Sequence, residues 1–303
     1  MELLTKKPKV IVIVGPTGSG KTSLALEVAQ QFQGEIISAD SRQIYRRLDI
    51  GTEKISREEM QNVPHHLIDI CDVGTVYTAS DFKKDAEEAI SEILRNGNVP
   101  IIAGGTFFYI DTLLGKMSPA PVEPNQALRE KLESKTTEEL FGELQKKDPR
   151  RAESIDQQNK RRLVRALEIV DVLKKVPMPM QTTDSLYDVL IIGLEVDKVE
   201  LRKKLRSRAE QALHKGLVEE TKNLLASGVT KERLSEIGHE YRIVMEYIDG
   251  ALTQQELIQK FEEKNWQYAK RQLMWLKRDE TIRWFKREDT DAIISSIRTF
   301  LSH

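Results

Sequence analysis

The residues Gly15-Pro16-Thr17-Gly18-Ser19-Gly20-Lys21-Thr22 match the pattern G-x-x-x-x-G-K-[ST], and the chemistry of that pattern is anion binding. Backbone N–H groups in such a loop curl around a phosphate. The helix that follows adds the partial positive charge of its N-terminus, and a lysine neutralises the outer oxygens. Lys21 is placed to be that cation, and Thr22 offers a hydroxyl to the Mg²⁺ that accompanies a diphosphate. The pattern specifies a polyphosphate and not its hydrolysis. The chain has no Asn-Lys-x-Asp guanine motif and no apolar strand ending in an acidic pair, the usual mark of a water-splitting NTPase. Group transfer is favoured over a motor or a switch.

Two further stretches carry chemistry. Ser38-Ala39-Asp40-Ser41-Arg42-Gln43-Ile44-Tyr45 follows a strand-like run, and ligands of doubly wound sheets sit outside the carboxyl ends of strands. Asp40 there can bind Mg²⁺, take a proton from a nucleophile, or simply cap the turn that follows. Ser41 and Gln43 can hydrogen-bond a base edge. Gly104-Gly105-Thr106-Phe107-Phe108-Tyr109 ends another strand-like run. Its glycines permit close backbone approach to a ligand, and Thr106 can donate to a phosphate or leaving oxygen. A tight strand-to-helix turn is the plainer reading. His65 and His66 are adjacent and the five histidines show no metal spacing, so structural or substrate-lining roles are expected. Trp266, Trp275 and Trp284 are expected in the core.

These groups need elements to position them. Val10 to Val14 is a continuous β-branched run and reads as a buried parallel strand. Thr22 to Phe32 has helical apolar spacing, Glu35 to Ser38 reads as a strand, and Ser80 to Leu94 reads as a helix with Ser80 as N-cap and Gly97 past its end. Val99 to Ala103 and Asp188 to Leu194 are further strands. The alternation predicts an α/β fold with a parallel sheet. Between about 115 and 185 the texture changes: Pro119, Pro121 and Pro124 open a charged helical segment, and Pro177 and Pro179 close it. The expected organisation is a core of residues 1–115 and 186–303, with a helical insertion domain over 116–185. Residues 197–285 read as helical again and make a helical C-terminal part.

Charge alone argues against a generally basic nucleic-acid binder: the 303 residues carry a net charge of −1. Locally the picture differs. Residues 150–165 hold Arg150, Arg151, Lys160, Arg161, Arg162 and Arg165 against Glu153 and Asp156, a net of +4. Residues 264–287 hold eight basic and two acidic residues, a net of +6. There Trp266, Ala269, Leu273 and Leu276 share one helical face, with Lys264, Arg271 and Arg278 roughly opposite. Each patch alone reads as a solvated face. Two patches flanking a candidate site point to RNA phosphates, and Arg129 is a weaker candidate for the same contact. The single cysteine, Cys71, excludes an internal disulfide and a Cys-rich zinc site. No apolar run reaches the ~20 residues of a membrane span, and a cytoplasmic protein with no obligate protein partner is expected.

Taken together the motifs resemble the bacterial tRNA dimethylallyltransferase family. The matching stretches are GPTGSGKT from Gly15, SADSRQIY from Ser38, IGT at Ile50, HHLID from His65 and GGTFFY from Gly104. NKRRLVRALEI from Asn159, GLVEE from Gly216 and YAKRQLMWLKRD from Tyr268 continue the series, which covers nearly the whole chain. The resemblance implies a P-loop NTPase-like core and transfer of a dimethylallyl group from dimethylallyl diphosphate. The acceptor would be N6 of the adenosine 3′ to the anticodon, in tRNAs reading codons that begin with U. It implies Asp40 as general base or partner of N6, Thr106 at the reaction centre, Lys21 and Arg208 on the departing diphosphate, and Thr22 on Mg²⁺. Ser41, Arg42 and Gln43 would read the base, and Arg129, Arg161, Arg162, Arg165, Arg271 and Arg278 would contact an anticodon stem-loop. Lys204 stands where many members have Arg, and Ile237 to Arg242 departs from the Gly-Tyr-Lys-Glu form of many members. The zinc finger of eukaryotic members is absent. A small-molecule or nucleotide kinase is the alternative, since it also needs a phosphate loop and a nearby carboxylate. An RNA-binding protein with a vestigial loop is disfavoured by the intact Lys21-Thr22 pair.

Overall fold

Strand β1 (Lys9–Val14) shows why the centre of the molecule is a sheet covered on both faces. Val10, Val12 and Val14 face one apolar cluster and Ile11 and Ile13 face another, all of them buried. A period-two run that is apolar at every position can satisfy both sides only between two layers. A computed structural model of the chain describes residues 6–177 and 185–303. Pro179, read above as closing the helical segment, and Met1 to Thr5 lie outside the described residues.

The sheet has six strands in the order β3-β2-β4-β1-β5-β6, all parallel. They are β1, β2 (Gly34–Ser38), β3 (His65–His66), β4 (Val99–Ala103), β5 (Asp188–Leu194) and β6 (Arg283–Phe285). Helix α1 (Lys21–Phe32) and the last helix, α13 (Thr290–Ser302), cover one face through Leu24, Val28, Ile293 and Ile297. Helices α2 (Ala79–Arg95) and α3 (Phe107–Leu113) cover the other through Phe82, Ile90, Ile93 and Ile110. A third cluster forms around Ile44, Leu48 and Tyr241. It joins helices α8 (Lys198–His214), α9 (Leu217–Ala226), α10 (Lys231–Ile237), α11 (His239–Ile248) and α12 (Gln254–Leu276).

The described residues divide into two compact units, within the bounds 1–114 plus 184–303 and 115–183. The second is all helical: α4 (Gln126–Glu133), α5 (Thr137–Lys147), α6 (Pro149–Ser154) and α7 (Lys160–Leu173) pack around Leu140, Leu144, Leu163 and Leu167.

Two expectations are corrected, and a third is narrowed. The helix expected from Ser80 starts at Ala79. Thr78 is its N-cap, in a capping box where Asp81 bonds back to the Thr78 N–H at 2.8 Å. The stretch 197–285, read as helical throughout, ends in strand β6, which extends β5 in register Gly193↔Trp284. His65 and His66 form a two-residue strand, and His66 Nε2 meets the Glu35 carboxylate at 2.6 Å. That contact gives His66 a structural partner, one of the two roles expected for it.

Candidate active site

The phosphate loop runs from the carboxyl end of β1 into α1. Gly18 and Gly20 have φ of +82° and +89°, a conformation that strains any residue with a Cβ. A Cβ at Gly18 would also lie 2.9 Å from Leu201 of α8. Lys21 opens α1 and folds back, its Nζ donating to the Pro16 carbonyl at 2.8 Å. Burial and the nearby Arg208 charge lower its pKa to about 8, with Asp40 and Glu53 opposing the shift. An ammonium so placed is stabilised by an incoming anion. Arg208, from α8, reaches the same loop: Nη1 is 3.4 Å from Thr17 Oγ1 and ion-pairs with Glu53 Oε2 at 2.5 Å. Thr22 is exposed, so its hydroxyl is open to solvent beside the loop.

Asp40 lies just past β2, within electrostatic reach of Lys21. Its Oδ1 accepts from the backbone N–H groups of Arg42 at 2.9 Å and Gln43 at 3.3 Å. The turn-capping reading therefore holds for one carboxylate oxygen, and Oδ2 lies outside those bonds. The loop after β4 comes against this turn. Thr106 N–H donates to the Ala39 carbonyl at 3.0 Å, and Thr106 Oγ1 accepts from Ser41 N–H at 3.0 Å. The approach depends on Gly104, where a Cβ would sit 2.2 Å from the Ala39 carbonyl oxygen. The sheet ends thus bring Asp40, Ser41, Thr106, Lys21 and Arg208 into one hydrogen-bonded and electrostatically coupled group.

Other expected contacts are not brought there. Arg42 Nη1 pairs with Glu240 Oε2 at 2.5 Å and its guanidinium lies over the Tyr268 ring at 5.7 Å. Burial alone would raise the Glu240 carboxyl, but Arg42 and His239 reverse this and hold it below the ordinary carboxylate range. The departure over 237–242 thus supplies a structural partner, and Arg42 braces α11 instead of standing free to read a base. Gln43 is similarly engaged: its Nε2 donates to the carbonyls of Thr52 and Glu53, and its Oε1 accepts from Ser38 Oγ. In the helical unit, Arg129 and Arg165 both bind Glu168, which is 0% exposed, at 2.9 and 2.5 Å. Both are half-buried and held by this acid, because a buried carboxylate demands paired cations. Arg161 and Arg162 are exposed, and among the described residues neither has an ion-pair partner. Arg271 on α12 and Arg278, two residues past its end, are exposed beside Tyr268 and Trp275.

Residue-type reasoning passed over two participants. Gln272 on α12 accepts from the Thr17 N–H at 2.8 Å and donates to the Gly105 carbonyl at 3.0 Å. Glu220 on α9 accepts from the N–H groups of Asp49, Ile50 and Gly51 and from the Tyr241 hydroxyl. That holds the turn carrying Glu53, the partner of Arg208. The GLVEE stretch contains Glu220, and only the fold shows what it binds.

A phosphate loop closing the central strand of an all-parallel sheet, with a carboxylate and a hydroxyl from neighbouring strand ends, defines an α/β enzyme of the P-loop class. The IPP transferase family model matches residues 43–279. The tRNA dimethylallyltransferase of Limosilactobacillus reuteri is 37% identical over 301 residues, covering 97% of this chain and 98% of that protein. That of Caldanaerobacter subterraneus is 36% identical over 291 residues, covering 93% and 92%. Among solved structures, the full-length tRNA isopentenylpyrophosphate transferase of Bacillus halodurans superposes with a TM-score of 0.73 at 33% identity, covering 98% of this chain and 97% of that one. A eukaryotic dimethylallyltransferase acting on tRNA gives a TM-score of 0.76 at 27% identity, covering 96% and 77%. The chain belongs to the IPP transferase family and is a transferase.

Proposed function

We propose that the chain transfers a dimethylallyl group from dimethylallyl diphosphate to N6 of the adenosine 3′-adjacent to the anticodon, in tRNAs that read codons beginning with U. The observation that carries this is the meeting of two loops: Lys21 and Arg208 lie at the phosphate loop, within electrostatic reach of an Asp40–Ser41–Thr106 group. The first set suits a diphosphate and the second an amine acceptor.

The N6 lone pair attacks the allylic C1, the C1–O bond breaks, and its electrons leave with the diphosphate. An exocyclic aromatic amine is a weak nucleophile, so orientation and stabilisation of the departing charge contribute most. Lys21 and Arg208 receive that charge. Asp40, its Oδ1 fixed by two backbone N–H groups, presents its other oxygen to the N6 proton and takes it as the new bond forms. Thr106 supports the reaction centre through its hydroxyl. The Thr22 hydroxyl and the diphosphate oxygens are the hard ligands Mg²⁺ takes, and bound there the ion would neutralise the leaving group. A base in a stem-loop must be extruded to reach these groups. The exposed Arg161, Arg162, Arg271 and Arg278 are the phosphate contacts in this reading.

Incubation with unmodified tRNA and dimethylallyl diphosphate, followed by nucleoside mass analysis, tests the proposal: a dimethylallyl adenosine supports it and unmodified nucleoside refutes it. Asp40→Ala is expected to lower kcat by about 10² or more while tRNA affinity stays within about twofold. Near wild-type turnover in that variant would remove Asp40 as the proton acceptor.

A further inference from the structure

Gln272 is 4% exposed, and a buried amide is costly unless both ends are paired. Both are paired, to backbone. Oε1 accepts from Thr17 in the loop after β1, and Nε2 donates to Gly105 in the loop after β4. β1 and β4 are neighbours in the sheet, so a single side chain from α12 spans the two loops that carry the reacting groups. The fit is specific at its far end: a Cβ on Gly105 would lie 2.5 Å from Gln272 Nε2. A side chain at position 105 would therefore displace this amide, and the next residue is Thr106.

Two consequences follow from this geometry. The Thr17 N–H is committed to an internal acceptor, so the curvature of the phosphate loop is set by protein before an anion arrives. The loop holding the diphosphate and the loop holding Thr106 are also tied to one rigid planar group. An amide bridge of this kind fixes a spacing that the substrates would otherwise have to impose, at a cost in binding and rate.

We propose that Gln272 is a positioning residue that holds the phosphate loop and the Gly104–Thr106 loop at the spacing transfer requires. This rests on the transfer reading above. Gln272→Met keeps the length and removes both bonds. Gly105→Ala displaces the amide from the opposite end while leaving Gln272 and Thr106 in place. Each, once shown to unfold cooperatively, is expected to lower kcat about 30- to 100-fold with the tRNA KM within about twofold. Each is also expected to weaken binding of inorganic diphosphate, measured by calorimetry, about three- to tenfold. The double variant is expected to lose no more than the worse single variant, because both break one brace.

Folded variants with wild-type kcat and diphosphate affinity would overturn the assignment, as would losses that add in the double variant. A wild-type chain that binds diphosphate yet transfers nothing to tRNA counts against the transfer reading alone. The diphosphate arm then decides the brace.

Discussion

At the scale of single residues, the site is governed by one cation held near its titration point. The Lys21 pKa of about 8 lies below its ordinary 10.5 because of burial and then Arg208. The sign follows directly. Below pH 8 the ammonium is charged in a site that disfavours it, which costs stability, and the cost is relieved progressively as pH rises from about 8 to 10.5. In the proposed reaction, the charge that Lys21 offers the diphosphate is present below pH 8 and lost above it. The kcat/KM for dimethylallyl diphosphate is therefore expected to fall toward tenfold per pH unit above about 8, while kcat, which reports the occupied site, stays flatter. A donor kcat/KM that is flat from pH 7 to 9.5 would contradict this. Lys21, Asp40 and Thr106 were legible as chemistry because each ends a strand-like run in a motif. Gln272 and Glu240 were not, because their partners Gly105 and Arg42 are 167 and 198 residues away, and nothing local marks a side chain that serves a distant loop.

At the scale of elements, α7 shows one helix using arginine in two ways. Arg161 and Arg162 face solvent, whereas Arg165 turns to Glu168 with Arg129 from α4. Burial works to raise the Glu168 carboxyl, but bonds from Arg129, the Asn125 N–H and Arg165 hold it below its ordinary 4.5. A depressed folded-state pKa contributes stability above the ordinary value and loses it as pH falls through the folded one. The helical unit is expected to lose stability below pH 4.5. Glu168→Ala should destabilise it by about 3 kcal/mol, because two partly buried guanidinium groups lose their partner; denaturant unfolding measures this, and a change under ~1 kcal/mol would contradict it. The basic run 150–165 read as a candidate RNA contact because charge counts do not register that Arg165 meets an acid, Glu168, on the same helix. Strands β1, β4 and β5 were legible from continuous apolar runs. β3 and β6 have two and three residues, too few to establish a period.

At the scale of the whole molecule, the net charge of −1 hides arginines that are already paired with acids. Arg42, Arg129, Arg165 and Arg208 all have carboxylate partners. Among the arginines assigned to RNA in the proposed reading, affinity should then rest on the exposed ones, Arg161, Arg162, Arg271 and Arg278. Replacing Arg161 and Arg162 together with alanine is expected to reduce the slope of log K against log salt by about 2, with stability nearly unchanged. An unchanged slope in filter binding across salt concentrations would remove these two from the footprint.

The bridge between Thr17 and Gln272 crosses 255 residues of chain. A ribosome adds about 5–20 residues per second, so the phosphate loop emerges roughly ten to fifty seconds before the residue that shapes it. The edge strand β6, residues 283–285, comes later still. A nascent chain therefore carries an anion loop without its brace and a sheet without its last strand. On the proposed reading, a growing chain that lacks Gln272 binds diphosphate more weakly than the finished one, so full affinity for the donor is reached only late in synthesis.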